Sequence, residues 1–201
     1  MKRLGHNVRI LERSTTPLYS QGAGVSASED TQLYLSLYDM TQSSAVISTA
    51  WRKYIDLTGN IVRCDSYGHG MTSWSLLYNL LRANFDSRES DSCNLPPPVP
   101  GEGEAIYQVG HTLVGIRENG TTVDVDFEND KGEMKTMSAD LVLAADGPSS
   151  KVRSLLCPDV ERRFVGYAAW RGTASEIELY GKDTLVDSLT FHHSEGLQML
   201  A

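Results

Sequence analysis

Leu141-Val142-Leu143-Ala144-Ala145-Asp146-Gly147-Pro148-Ser149-Ser150-Lys151-Val152-Arg153 is the stretch whose reading decides the fold. Its first five residues are all apolar, a run of strand length with no side chain suited to water, and they read as a strand covered on both faces. Asp146-Gly147-Pro148 punctuates the run. Ser149 or Ser150 then offers a side-chain oxygen to a backbone N–H as a helix N-cap, and Val152, Leu155 and Leu156 fall at helical spacing. Strand, tight turn and helix in that order specify an α/β unit. In an open α/β sheet such a turn lies at the carboxyl end of a strand, where ligands bind.

Upstream, residues 107–117 and 121–128 alternate in character and are joined by Glu118-Asn119-Gly120, a strong hairpin signal. After Asn129-Asp130-Lys131-Gly132, a third stretch at 133–138 extends the pair to an antiparallel meander. Residues 86–103 are rich in Ser, Asp, Glu and Pro and read as a surface excursion after which the sheet resumes. Near the start, Lys2-Arg3-Leu4-Gly5 reads as a last helical turn with Gly5 in the left-handed cap. Residues 7–11 follow as a strand closed by Glu12. Residues 14–28 form a polar, glycine-bearing loop. Leu33, Leu37 and Met40 mark a short helix over 30–40, and Ile47 with 51–55 supplies strand material. Residues 68–71 read as a turn. Thr72 or Ser73 caps a helix over 74–84 with Leu76, Leu77, Leu80 and Leu81 on its apolar face, and Arg82 points to solvent. Past Cys157-Pro158, residues 163–173 and 184–193 read as strands. His192 and His193 are adjacent in the second of these, so they point to opposite faces and do not share a ligand.

With 201 residues the chain suffices for one good core, or for one domain and part of another. A formal net charge of −8 argues against nucleic acid or an anionic membrane as partner. No apolar run approaches the ~20 residues of a membrane span, and the N-terminus lacks the apolar centre of a signal peptide, so a cytoplasmic protein is expected. Cys64, Cys93 and Cys157 are too scattered for a zinc site or a disulfide framework and read as structural thiols.

Ala145-Asp146-Gly147, followed after two residues by Ser150-Lys151-Val152-Arg153, resembles the Asp-Gly motif of the FAD-dependent aromatic hydroxylases, flavoprotein monooxygenases similar to p-hydroxybenzoate hydroxylase. A meander leading directly into a strand that ends Ala-Asp-Gly is also the order of elements in that family. The resemblance implies that Asp146, Gly147 and Arg153 bind FAD and take part in NAD(P)H binding. Glu12 closes the second strand of what is similar to a dinucleotide-binding βαβ unit and is the candidate for the ribose hydroxyls, with Arg13 beside it. Gly22-Ala23-Gly24 is similar to a segment that runs close to the flavin, which nominates Gly22 and Gly24. Where the family often has an Arg at the start of the helix over 74–84, Ser73 and Trp74 stand instead. Trp170-Arg171-Gly172 is similar to members acting on hydroxylated pyridines, where it opens the substrate domain. Trp170 itself reads as core or as a substrate wall.

The resemblance therefore implies an α/β fold: an FAD-binding Rossmann-like parallel sheet with an antiparallel β-meander crossover over residues 1–160, and the beginning of a β-rich substrate-binding domain over 161–201. It implies FAD as cofactor, NADH or NADPH as electron donor, O2 as co-substrate, a small aromatic or hydroxypyridine-type ring as substrate, and a homodimer as a possible assembly. No protein side chain is nominated as catalytic, because the flavin carries the chemistry and the protein supplies binding and orientation. The G-x-G-x-x-G loop that should precede Gly5 is absent, and the later Gly-Asp motif has no counterpart, so a chain truncated at both ends and inactive alone is expected. Two alternatives stay open at this point: a non-catalytic remnant that binds no FAD, and another FAD oxidoreductase of the same fold, such as a reductase, halogenase or epoxidase.

Overall fold

The computed structural model describes residues 1–16, 24–170, 172, 177 and 188–201. They gather into two compact units, Met1–Leu18 with Val99–Ala169, and Tyr19–Pro98 with Trp170–Ala201. In chain order the strands are β1 (Val8–Leu11), β2 (Gly24–Ala27), β3 (Ile47–Ile55), β4 (Ile61–Ser73), β5 (Ala105–Gln108), β6 (Thr112–Asn119), β7 (Thr122–Glu128), β8 (Met134–Ala139), β9 (Ser188–Ser194) and β10 (Leu197–Leu200). The helices are α1 (Glu29–Tyr38), α2 (Trp74–Asp86) and α3 (Lys151–Leu156).

In the first unit a 3-10 turn, Lys2–Leu4, ends at Gly5 with φ 85°, the left-handed cap the sequence requires. β1 then pairs in parallel with β5, from Val8 opposite Ala105 to Leu11 opposite Gln108. The segment before β5 latches this pair. Glu102 meets Lys2 at 2.9 Å and Arg3 at 3.8 Å, the Gly103 N–H donates to Lys2 O at 3.0 Å, and the Glu104 N–H donates to Asn7 Oδ1 at 2.9 Å. Gly103 lies so close to the backbone that a Cβ there would stand 2.1 Å from His6 O.

The meander forms as read, β6-β7-β8 in antiparallel order with Gly120 at φ 63° in the first hairpin. Val125 and Phe127 point to one side of β7 and are buried, as is Val152 of α3, which packs on β6. The opposite side carries a polar ladder. Asp124 and Asp126 accept hydrogen bonds from Ser138 and Thr136, and Arg117 pairs with both carboxylates.

In the second unit the sheet runs β10-β9-β3-β4-β2, with β3 and β9 parallel and the other pairs antiparallel. Ser28 caps α1 by accepting the Thr31 N–H, and Ser73 caps α2 by accepting the Leu76 N–H. The core joins Leu35, Ala45 and Leu80, with Val46, Leu77 and Cys93 packed against it.

Several expectations are corrected. Residues 141–145 form no strand, and Leu143 is 69% exposed. An apolar run becomes a strand only where a neighbour takes its N–H and C=O groups, and no described strand lies beside this one. Residues 163–170 fail in the same way, and Trp170, at 93% exposure, is not core. The expected strand over 107–117 is two strands, because Gly110 at φ 68° breaks it. The expected turn at 68–71 lies inside β4, where Gly70 admits the close approach of Ala27 O, Gln32 and Val46. Residues 24–27 are strand rather than loop. In α1 the buried residue is Leu35, with Leu33 and Leu37 exposed. Arg82 does not point to solvent: its side chain, 13% exposed, donates to Asp86 and to the Tyr78 hydroxyl. Cys64 and Cys157 are exposed and Cys93 is half-buried, so burial supports a structural role for Cys93 alone.

Candidate site at the carboxyl ends of β1 and β5

Two parallel strands bring their C-terminal residues side by side, and here those residues are Leu11-Glu12 and Gln108-Val109. The Glu12 N–H donates to Gln108 O at 2.8 Å, and Glu12 O accepts the His111 N–H at 2.9 Å, so the ladder runs one step past the strands. The Glu12 side chain turns back on its own loop, where Oε1 accepts the Ser14 N–H at 2.7 Å. That bond fixes the carboxylate at the strand end. Arg13 follows directly on the exposed side.

Gly110 closes the wall. Its N–H donates to Ser14 O at 3.1 Å, and a Cβ on it would lie 2.8 Å from Asp130 Cβ and 3.3 Å from Thr15 Cγ2. The loop after β1, the bend after β5 and the loop after β7 therefore converge. Sequence reasoning passed over one residue here. Gln108 Oε1 is shut off from solvent and has no hydrogen-bond partner among the described residues. A polar amide closing the otherwise apolar Ala105-Ile106-Tyr107 run was the signal that could have found it.

The Asp146 turn is built from side chains. Asp146 Oδ2 accepts the N–H groups of Lys151 at 2.6 Å and Val152 at 3.2 Å, and Ser150 Oγ accepts the Arg153 N–H at 2.9 Å. Three of the four unpaired donors at the start of α3 are thus satisfied. Slight burial pushes the Asp146 carboxyl up, but the Ser150 hydroxyl and the Val152 and Lys151 N–H groups outweigh it and hold the carboxyl below its ordinary value. Gly147 sits at φ 73°, the Arg153 guanidinium donates to Pro148 O, and Arg162 donates to Ser149 Oγ at 2.9 Å.

Of the remaining candidates, Gly24 opens β2 in the second unit, and Gly22 lies outside the described residues. His192 and His193 do point to opposite faces of β9. His193 stacks with Tyr54 and Phe191, whereas His192 Nε2 is buried without a partner among the described residues. A cavity of about 370 Å³ opens beside α1, bordered by Gln32, Asp39 and Ser43, and touches none of the candidates. Among the described residues no group of three His, Cys, Asp or Glu side chains could hold a metal ion, and no helix is long and apolar enough to cross a membrane.

No family model matches the chain. It is 28% identical over 174 residues to the 2,6-dihydroxypyridine 3-monooxygenase of Paenarthrobacter nicotinovorans, an alignment covering 86% of this chain and 38% of that protein. The chain thus spans about two fifths of the length of the curated relative it matches. Its fold is similar to the solved structure of 2,6-dihydroxypyridine-3-hydroxylase from Arthrobacter nicotinovorans, with a TM-score of 0.66 at 24% identity over 90% of this chain and 42% of that one. The flavin-dependent monooxygenase PieE, solved with FAD and substrate, matches at a TM-score of 0.54 and 16% identity over 77% of this chain and 28% of that one. The chain is therefore homologous to a dihydroxypyridine monooxygenase and has the mixed α/β fold of flavin monooxygenases.

Proposed function

We infer that this chain belongs to the FAD-dependent aromatic hydroxylases and contributes to an enzyme that hydroxylates an aromatic or hydroxypyridine-type ring with NADH or NADPH and O2. The observation that carries the reading is the homology over 86% of the chain to an enzyme named for hydroxylating a dihydroxypyridine. In this reading residues 1–160 serve FAD and NAD(P)H and residues 161–201 begin the substrate-binding part, in a cytoplasmic protein that forms a homodimer.

The end of β1 suits the ribose of a dinucleotide. At the end of β1, Glu12 offers a carboxylate held by the Ser14 N–H. A ribose diol is a pair of donors that matches this carboxylate. Glu12 would accept the ribose hydroxyls, with Arg13 at its flank, and Gly22 and Gly24 would let the backbone run close to the ring system. Asp146 and Arg153 would hold the turn at Gly147 in shape for the cofactor through bonds to the α3 N-terminus and Pro148 O. When bound, FAD supplies the redox chemistry, drawing electrons from NAD(P)H and passing one oxygen atom of O2 to the ring.

The test places residues 1–201 in the matching region of the 2,6-dihydroxypyridine 3-monooxygenase that they resemble and incubates the purified protein with FAD. NADH and NADPH oxidation and O2 uptake are followed with and without 2,6-dihydroxypyridine and simple phenols. Bound flavin and oxidation accelerated by a hydroxypyridine are expected. Flavin binding with oxidation indifferent to every ring would favour a reductase of the same fold, and no flavin binding at all would overturn the reading.

A further inference from the structure

Residues 94–100 read Asn-Leu-Pro-Pro-Pro-Val-Pro, and covalent sterics dictate their conformation. Proline fixes its own φ at about −65°, and a residue that precedes proline is pushed out of the helical region into the extended one. Pro96, Pro97, Pro98 and Pro100 obey the first rule, and Leu95, Pro96, Pro97 and Val99 obey the second. No cis peptide bond occurs among the described residues. The outcome is a polyproline II run, a left-handed helix that repeats every third residue. Burial has that period: Cys93, Pro96 and Val99 are half-buried, while Leu95, Pro97, Pro98 and Pro100 are exposed. One ridge of the run therefore lies against the protein, and two ridges, Leu95 with Pro98 and Pro97 with Pro100, face solvent.

The run is held at both ends. Cys93 packs against the core of Leu35, Ala45 and Leu80, and the Asn94 N–H donates to Ser43 Oγ at 3.0 Å. At the far end the Glu102 N–H donates to Val99 O at 3.4 Å across Pro100 and Gly101, and Gly101 at φ 81° completes a type II turn. Glu102 then pairs with Lys2 and Arg3. A proline-rich helix fixed in this way has already lost the freedom that docking would otherwise cost. Its flanks carry one sign of charge: Glu89, Asp91 and Glu104 are exposed, and no Lys or Arg occurs from 89 to 110.

We propose that residues 95–100 form a docking ridge for a partner protein whose groove is lined by aromatic rings and rimmed by basic side chains, the kind that reads polyproline II segments. Such a groove seats two neighbouring ridges and leaves the third free, and the third is the one this fold occupies. The proposal does not depend on the flavoprotein reading.

The probe is an EVH1 domain, a small module with an aromatic groove of this kind. Isotope-labelled, it is titrated with the full chain, with a free peptide of residues 89–104, and with the full chain bearing Leu95→Ser and Pro97→Ala together. Resonance shifts at the groove are expected, with a Kd roughly 3- to 10-fold lower for the chain than for the peptide, because the fold holds the run in its bound form. The double variant should bind about tenfold more weakly, with unchanged circular dichroism because both side chains are exposed. Raising NaCl from about 0.05 to 0.5 M should weaken binding, as a match of acidic flanks to a basic rim requires. Equal affinity of chain and peptide would overturn the proposal, since the fold would then add nothing. Binding by the peptide alone would mean that the ridges are covered, and would overturn it too. So would full affinity in the double variant, affinity indifferent to salt, or no binding at all.

Discussion

Glu12 and Asp146 each follow a short apolar run, and the structure holds them by opposite means. Around Glu12 the backbone does the holding: β1 and β5 exchange ladder bonds, the ladder extends through Gln108, Glu12 and His111, and the one side-chain bond, from Ser14, merely aims the carboxylate. Around Asp146 the apolar run has no ladder at all, and the order resides in side chains, with Asp146, Ser150 and Arg153 each bonded to backbone within a few residues. A cap needs only its own neighbourhood in sequence. A strand needs a second strand, and β5 comes to β1 from almost a hundred residues away.

Because the β1 end depends on backbone fit, the largest effect should come from disturbing that fit. Gly103→Ala would place a Cβ 2.1 Å from His6 O and 2.3 Å from His6 C, both backbone atoms with no easy way to move. A loss of roughly 3 kcal/mol in urea unfolding is expected, together with faster amide exchange along β1 and β5. A loss under ~1 kcal/mol would mean that the latch is loose and the comparison overdrawn. On the other side, Ser150→Ala removes one cap bond and should cost about 1 kcal/mol, with the change in exchange confined to α3.

Acid should separate the two regions further. Asp146 is held below its ordinary value by hydrogen bonds that outweigh its slight desolvation, so its cap is fully present above the unfolded-state value and is lost as pH falls through the lower folded value. The amide resonances of Lys151 and Val152 should titrate with a midpoint below that of an ordinary aspartate, while those of β1 should not follow. A midpoint at or above the ordinary value would break the cap assignment. The smallest effect is expected at Leu143, which is exposed: Leu143→Ser should change stability by no more than about 0.5 kcal/mol, where a buried strand leucine would cost about 2–5 kcal/mol.

The same division explains what could be read from the residues alone. Ser73, Ser150, Gly5 and the Asn119-Gly120 hairpin were legible because each is a local bargain between a side chain, or a missing one, and the adjacent backbone. Glu12 was legible as a strand-end acid because it directly follows the alternating residues 7–11. Residues 141–145 and 163–170 were misread as strands because hydrophobic pattern reports a wish for cover and says nothing of who provides it. Gly70 and Gly110 were glycines of one kind in sequence; in space both admit a close contact, and only Gly110, at φ 68°, also breaks β5 from β6. Gln108 escaped notice because an unpartnered oxygen exists only once the surrounding chain has folded over it.

The central claim is that the carboxyl end of β1 receives the nucleotide of a flavin cofactor, and flavin fluorescence tests it most directly. FAD titrated with a hydroxylase that carries this chain in place of its matching region should be quenched on binding, and Glu12→Ala should weaken the Kd by tenfold or more, since a charge-assisted bond to a ribose hydroxyl is worth roughly 1.5–3 kcal/mol. An FAD Kd identical in the two proteins would contradict the account and remove the end of β1 from the cofactor site.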